Sequence, residues 1–290
     1  MKLFIFLTLL WFVPFVIFGQ HTIDKSKIIK GIVVELENNL PLAYVSIGVV
    51  NKSKGTVSDT LGNFTFSIAS DNNLDTLQFS LVGYNSFRIA IKDFLNNKSK
   101  TVKLTVKVTQ LEEVFVQKLN QKSNSEIIGS QSSGKLTQIS IHNKTSVDET
   151  VGSEMGMIYK TNRQNTILKD FNFYISANNF NIIKFSINIY SLKNGQPDSL
   201  INKKQILTTL ENFKTGWTKI DLEPFKIRIE KEFIVTIQWV ESKMVHKENP
   251  ITIVPFAVTP FSKHCFVRIA SQDKWLKKGM SLSNFVTIAF

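Results

Sequence analysis

Strict two-residue alternation of apolar and polar side chains runs through most of this chain, and it limits the fold more than any other feature. In "NFTFSI" Phe64, Phe66 and Ile68 alternate with Asn63, Thr65 and Ser67, and in "TLQFSL" Leu77, Phe79 and Leu81 alternate with Thr76, Gln78 and Ser80. "AYVSIGVV", "FRIAIK" and "TVKLTVKV" repeat the pattern in the first half. "KFSINIY", "EFIVTIQWV" and "NFVTIAF" repeat it in the second. Such alternation gives a strand one buried and one wet face, as in antiparallel sheets. Strands about ten residues apart with turn signals between them predict sandwiches. No helical period stands out beyond the N-terminal apolar run. The fold class expected is all-β: a seven-stranded N-terminal sandwich, then a larger second sandwich.

The pattern is interrupted at "QKLNQKSNSEIIGSQSSGK", which is rich in Asn, Ser and Gln, with Ile127 and Ile128 as its apolar pair. It reads as a linker. The organisation expected is a first domain over 27–117, a polar linker over 118–135 and a second domain over 136–290. "NGQPDS", Asn194 to Ser199, has the composition of a hairpin loop.

One short stretch, "GTVSDTLGNFTF", places an acid and two glycines between two strands. Asp59 can accept backbone N–H groups two residues on, and Gly62 can take a positive φ, so the pair predicts a tight turn. A calcium loop needs several oxygen ligands at alternating positions. Leu61 and Asn63 leave this stretch a single carboxylate. No metal site and no cofactor are expected.

The N-terminus reads MKLFIFLTLLWFVPFVIFGQ. A lysine, an apolar run and a small residue at Gly19 form the layout of a secretory signal over residues 1–19, with a retained anchor as the alternative. The lone cysteine, Cys265, excludes an internal disulfide framework. Export without disulfides fits a bacterial periplasm or cell surface, with outer-membrane association open. The formal net charge is +12. Arginine is confined to Arg88, Arg163, Arg228 and Arg268, and the lysines are scattered, so no nucleic-acid partner is expected.

A resemblance sharpens the first-half reading. Gly31, Pro41-Leu42-Ala43, Val45, Ile47, Gly55 to Asp59, Gly62, Phe64, Phe66 and Phe79 to Tyr84, in this order, resemble the carboxypeptidase regulatory-like domain over about residues 28–117. "LEEVFV", Leu111 to Val116, is similar to the strand that often follows this domain in outer-membrane receptors of certain Gram-negative bacteria. The resemblance implies a transthyretin-like sandwich that serves as an accessory and carries no catalytic residues. The second half more loosely resembles a carbohydrate-binding-type jelly roll. Its last strand also resembles the terminal signal of outer-membrane barrels, which leaves a small barrel as an alternative there.

Candidate chemistry is sparse. His264 and Cys265 are neighbours on a strand and point to opposite faces, so they do not share a metal. There is no nucleophile elbow and no glycine-rich phosphate loop. Glu112-Glu113 and Asp148-Glu149 read as solvated acids. Trp239 is in phase with core residues. Trp217 and Trp275 are the ligand-binding candidates. Trp217 can stack on a sugar or cap the sandwich, and Trp275, set among lysines, can contact a ligand or anchor its loop. The functional expectation is a non-catalytic exported envelope protein that binds or adheres, toward a glycan or a protein partner. A glycan- or peptide-processing enzyme is the rival.

Overall fold

The computed structural model describes residues 26–69, 74–108, 124–133, 138–139, 151–244 and 256–290. The expected signal (1–19), "LEEVFV" and both acid pairs lie outside these residues.

The first domain contains β1 (Ser26–Glu35), β2 (Ser46–Val49), β3 (Gly55–Val57), β4 (Asn63–Ala69), β5 (Thr76–Ser80), β6 (Phe87–Ala90), α1 (Ile91–Asn96) and β7 (Thr101–Leu104). Its strands form two sheets, β4-β1-β7 and β3-β2-β5-β6. Ile29, Val33, Phe64, Ile68 and Val102 from one sheet meet Val45, Ile47, Leu77 and Phe79 from the other in one apolar cluster. Phe64 and Phe79 meet edge to face across it, with centroids 5.6 Å apart.

Residues Ile91 and Lys92, expected to continue a strand, instead start the short helix α1, which buries Ile91 and Phe94. Six residues are too few to show a helical period. The Lys100 ammonium donates to the carbonyls of Phe94, Leu95 and Asn97 and satisfies the helix end.

The second domain contains β8 (Ser125–Gly129), β9 (Gln138–Ile139), β10 (Glu154–Lys160), β11 (Thr166–Ile175), β12 (Ile182–Lys193), β13 (Gln196–Leu200), β14 (Ile206–Glu211), β15 (Gly216–Asp221), β16 (Arg228–Ile229), β17 (Glu232–Lys243), β18 (Phe256–Arg268), β19 (Leu276–Leu282) and β20 (Asn284–Ala289). They hydrogen-bond along the path β13-β12-β17-β10-β18-β11-β20-β8, with the remaining strands pairing at its sides. Strand β18 belongs to two layers. Its first residues pair with β9 and β11 and its last with β10, while β19 pairs with it on both sides of a register shift, at Val258–Pro260 and at Cys265–Val267. The path therefore folds into a front sheet (β12, β17, β10) and a back sheet (β15, β11, β20, β8).

Between these layers lie Met155, Tyr159, Phe185, Ile187, Val235, Ile237 and Trp239 from the front and Phe171, Phe173, Val286 and Ile288 from the back, all buried. Phe173 meets Phe185 edge to face at 6.0 Å. Apolar inward faces with interlocked rings make a filled sandwich, whereas the barrel alternative requires a polar interior. Among the described residues no helix is long and apolar enough to cross a membrane.

Two expectations change here. Ser125–Gly129, inside the stretch read as linker, is strand β8 on the edge of the back sheet, with Ile128 packed on the core. Its polar composition suits an edge strand, which needs one apolar face only. In "NGQPDS" the turn is confined to Asn194 and Gly195, at φ 53° and 69°, and strand β13 starts at Gln196. Two left-handed residues make the tight hairpin turn, and Pro197 is tolerated because β13 has one hydrogen-bonded neighbour.

Candidate binding site at the interdomain joint

The two domains are bonded to each other through the face of β2 that alternation marks as wet. All four β2 residues and all three of β3 are buried. The reason is a loop of the second domain, Ala270 to Asp273, seated on two glycines. A Cβ at Gly48 would lie 2.0 Å from the Ser271 carbonyl oxygen, and one at Gly55 would lie 2.6 Å from it. Only a residue without a side chain allows this approach.

Around these glycines the contact is polar. Gln272 Nε2 donates to the Ser46 carbonyl at 3.1 Å and to Ser80 Oγ at 2.7 Å, while Gln272 Oε1 accepts from Gln78 Nε2 at 2.7 Å. Gln238 Nε2 donates to Ser46 Oγ at 2.9 Å, and Ser53 Oγ to Asp273 Oδ2 at 2.6 Å.

Beneath this contact the second domain holds a buried ion pair. Glu154, fully buried on β10, pairs with Arg268 and accepts from Thr236 Oγ1 and, at 3.0 Å, from Asn188 Nδ2. Burial and then the charge of Glu154 raise the phenol of neighbouring Tyr190 well above the ordinary tyrosine range.

At one side of the joint a cleft of about 1070 Å³ opens between the domains. Lys30, Ile32, Asn63, Thr65 and Thr101 from the first-domain sheet form one wall, and Glu241 to Lys243 from the end of β17 form another. Tyr44 lies on its floor with Val57, Val151 and Val240, which pack as a small apolar cluster.

Tyr44 has φ 60°, a left-handed conformation that is rare for a bulky residue. Bonds on both sides impose it: Tyr44 N donates to the Ser58 carbonyl, and Val45 N donates to Ser58 Oγ at 2.9 Å. The strain aims the phenol at the second domain. There the hydroxyl donates to Glu241 Oε2 at 2.6 Å and accepts from Lys184 Nζ at 2.6 Å, while Lys184 and Glu241 pair at 3.1 Å.

The charges of this triad support one another. Burial, then the bond to Glu241, raises the Tyr44 phenol. Burial also pushes the Glu241 carboxyl upward, but the bonds from Tyr44 and Lys184 and the charges of Lys184 and Lys243 outweigh it and hold the group below the usual range. For Lys184 burial acts downward, and its bonds to Tyr44 and Glu241 win, raising the ammonium.

The residues singled out from sequence are spread apart. Asp59 and Gly62 form the turn at the cleft edge: Asp59 Oδ1 accepts from Leu61 N and Asn63 N, each at 2.8 Å, and Gly62 takes φ 77°. Trp275 lies against Tyr190 at 5.8 Å, with the Arg268 guanidinium 4.8 Å from its ring centre, so it covers the buried ion pair. Trp217 is on the outer face of the back sheet beside Tyr174 and Phe285. Trp239 is in the core, and Cys265 is buried, which pushes its thiol up to about 11, while His264 points outward. Among the described residues no three His, Cys, Asp or Glu side chains converge on a metal position. Tyr44, Lys184 and Glu241 were not singled out, because residues so far apart in sequence carry no shared local signal. Gly48 and Gly55, side-chain-free positions in otherwise ordinary strands, are the signal that marks the joint.

The 27% identity of this chain to TonB-dependent receptor P3 of Formosa agariphila extends over 152 residues, which is 52% of this chain and 15% of that receptor. The chain thus spans a small part of this relative's length. Among solved structures, the cysteine protease and lectin-like domains of Cwp84, a surface layer associated protein of Clostridium difficile, align over 85% of this chain and 58% of theirs, at 10% identity and a TM-score of 0.40. A clostridial form of the same protease after propeptide cleavage aligns over 90% of this chain and 70% of its own, at 9% identity and a TM-score of 0.40. The family comparison matches residues 29–116, a range that contains nearly all of the first sandwich, and this part of the chain is a CarboxypepD_reg-like domain.

Proposed function

We propose that the protein is a non-catalytic binding module of the bacterial envelope, and that a glycan or a protein partner enters the cleft between its two domains. The cleft itself carries this reading. It lies at a domain junction, where binding sites concentrate, and its volume is of the size that ligand sites have. Its walls offer hydroxyl, amide and ammonium groups over an apolar floor. The charged groups beside the floor, Lys184 and Glu241, are bonded to each other and to Tyr44, which suits a fixed wall better than proton transfer. The export signal expected over residues 1–19 and the likeness to a TonB-dependent receptor support an envelope location.

A glycan array and immobilised envelope fractions, probed with the mature chain, test the proposal. The variant Thr65→Trp, which fills the cleft from an outward position on β4, should abolish the binding seen with the unaltered chain. A hydrolase screen on the same material is the counter-test. Turnover of a glycan or peptide that one carboxylate substitution abolishes would overturn the non-catalytic reading.

A further inference from the structure

The back sheet of the second domain turns a second surface outward, and this surface has a chemistry of its own. On β11 the residues facing away from the core are Asp170, Asn172 and Tyr174. Strand pairing sets Tyr174 opposite Trp217, Asn172 opposite both Lys219 and Phe285, and Asp170 opposite both Asp221 and Thr287. None of the three aromatic residues belongs to the buried core, and all are half-exposed. Trp217 is central: its ring centre lies 5.4 Å from that of Tyr174 and 5.2 Å from that of Phe285, both edge to face.

Along the strands from these rings runs a hydrogen-bonded row in which Asp170 and Asn172 are themselves buried, while Lys219 and Asp221 on β15 are exposed. Asp170 Oδ1 accepts from Asn172 Nδ2 at 2.6 Å and from Thr287 Oγ1 at 2.8 Å, and Asp170 Oδ2 pairs with Lys219 Nζ at 3.1 Å. Outward positions on a strand are spaced by about 7 Å, so the rings and the polar row lie within the span of one or two sugar units. Lys219 offsets one of the two carboxylates on this face, Asp170 and Asp221, and the negative charge left over disfavours an anionic sugar.

We propose that this surface binds a neutral oligosaccharide, with one pyranose ring laid on Trp217 and its hydroxyl rim directed at Lys219 and Asp221, the exposed polar groups that follow Trp217 on the same face of β15. A pyranose has one largely C–H face and a polar edge, which matches a ring cluster bordered by fixed donors and acceptors. An aromatic face satisfies the first and the Lys219 and Asp221 side chains the second, and both are held on a rigid sheet rather than on loops. The site is separate from the interdomain cleft and stands or falls independently of it.

Calorimetric titration of the full mature chain with gluco-, xylo- and galacto-configured hexasaccharides tests the proposal. At least one neutral oligomer should bind, and Trp217→Leu and Tyr174→Ala should each weaken it by about tenfold or more. The cleft-filling Thr65→Trp should leave that affinity unchanged. If Trp217→Leu lowers the melting temperature, Trp217→Phe keeps a ring at the position and should retain most of the binding. Absence of binding to every neutral oligomer would overturn the proposal. So would unchanged affinity in Trp217→Leu, or loss of binding in Thr65→Trp alone, an outcome that assigns the sugar to the cleft. Tighter binding of an oligouronate than of any neutral oligomer would overturn the ligand class.

Discussion

Gly62 shows how one residue sets the course of the chain at the cleft edge. At φ 77° it is in a conformation that side chains disfavour, and a Cβ there would lie 2.5 Å from the Val33 carbonyl oxygen. Gly62→Val should therefore cost about 1–3 kcal/mol, read as a lower urea midpoint, and addition of calcium should not restore it. A larger loss is expected in the second domain. Glu154→Gln leaves the buried Arg268 without its counter-charge, and removing one partner of a buried pair costs about 3–5 kcal/mol. Unchanged stability in this variant would mean that Tyr190 and Trp275 alone satisfy the guanidinium. These residues differ in how they can be read. Asp59 and Gly62 act within a few positions of each other, so their types reveal their geometry. The Tyr44 hydroxyl finds its partners in Lys184 and Glu241, 140 and 197 residues away, and nothing beside Tyr44 in the sequence indicates them.

Strand β2 shows where alternation serves and where it misleads. Val45, Ile47 and Val49 face the first core, as the pattern requires. Ser46 and Gly48 are polar or small for another reason: a second domain covers them. A polar face is the same in sequence whether it meets water or a partner's hydrogen bonds. For that reason the two sandwiches were legible and their joint was not. Helix α1 and strand β8 escaped for a related cause, since each is short and shows one apolar face only. The joint reading predicts that Gly48→Leu, which places a side chain against Ser271, leaves both sandwiches folded but separates them. Calorimetry should then show two transitions in place of one, and small-angle scattering should show a larger radius of gyration. A single transition at an unchanged temperature would mean that the Ala270–Asp273 loop adapts at no cost.

For the molecule as a whole, the question is how two sandwiches behave as one body. The contacts described between them are mainly hydrogen bonds, and those of the Tyr44 hydroxyl end on the Lys184–Glu241 ion pair of the second domain, so their strength should depend on pH. The Glu241 carboxyl is depressed in the fold, so its contribution is complete above the ordinary value of about 4 and is lost as pH falls through the folded value. Lys184 and Tyr44 are both raised, so their contributions are complete below about 10 and are lost as pH rises through the folded values. The joint should accordingly hold across the neutral range and loosen at both extremes. A cut chain makes this measurable. With a protease site inserted between Asn120 and Gln121 and then cleaved, no covalent link remains between the CarboxypepD_reg-like domain and the second sandwich. At neutral pH the fragments should still co-elute on size exclusion, because the Gln272, Gln238 and Tyr44 contacts cross the joint independently of the link. They should part below about pH 4 or above about pH 10 while each keeps its β-sheet circular dichroism. The same separation at neutral pH is expected for cut Gly48→Leu. If the unaltered fragments part at neutral pH, the covalent link holds the domains together, and the cleft has no fixed walls with which to select a ligand.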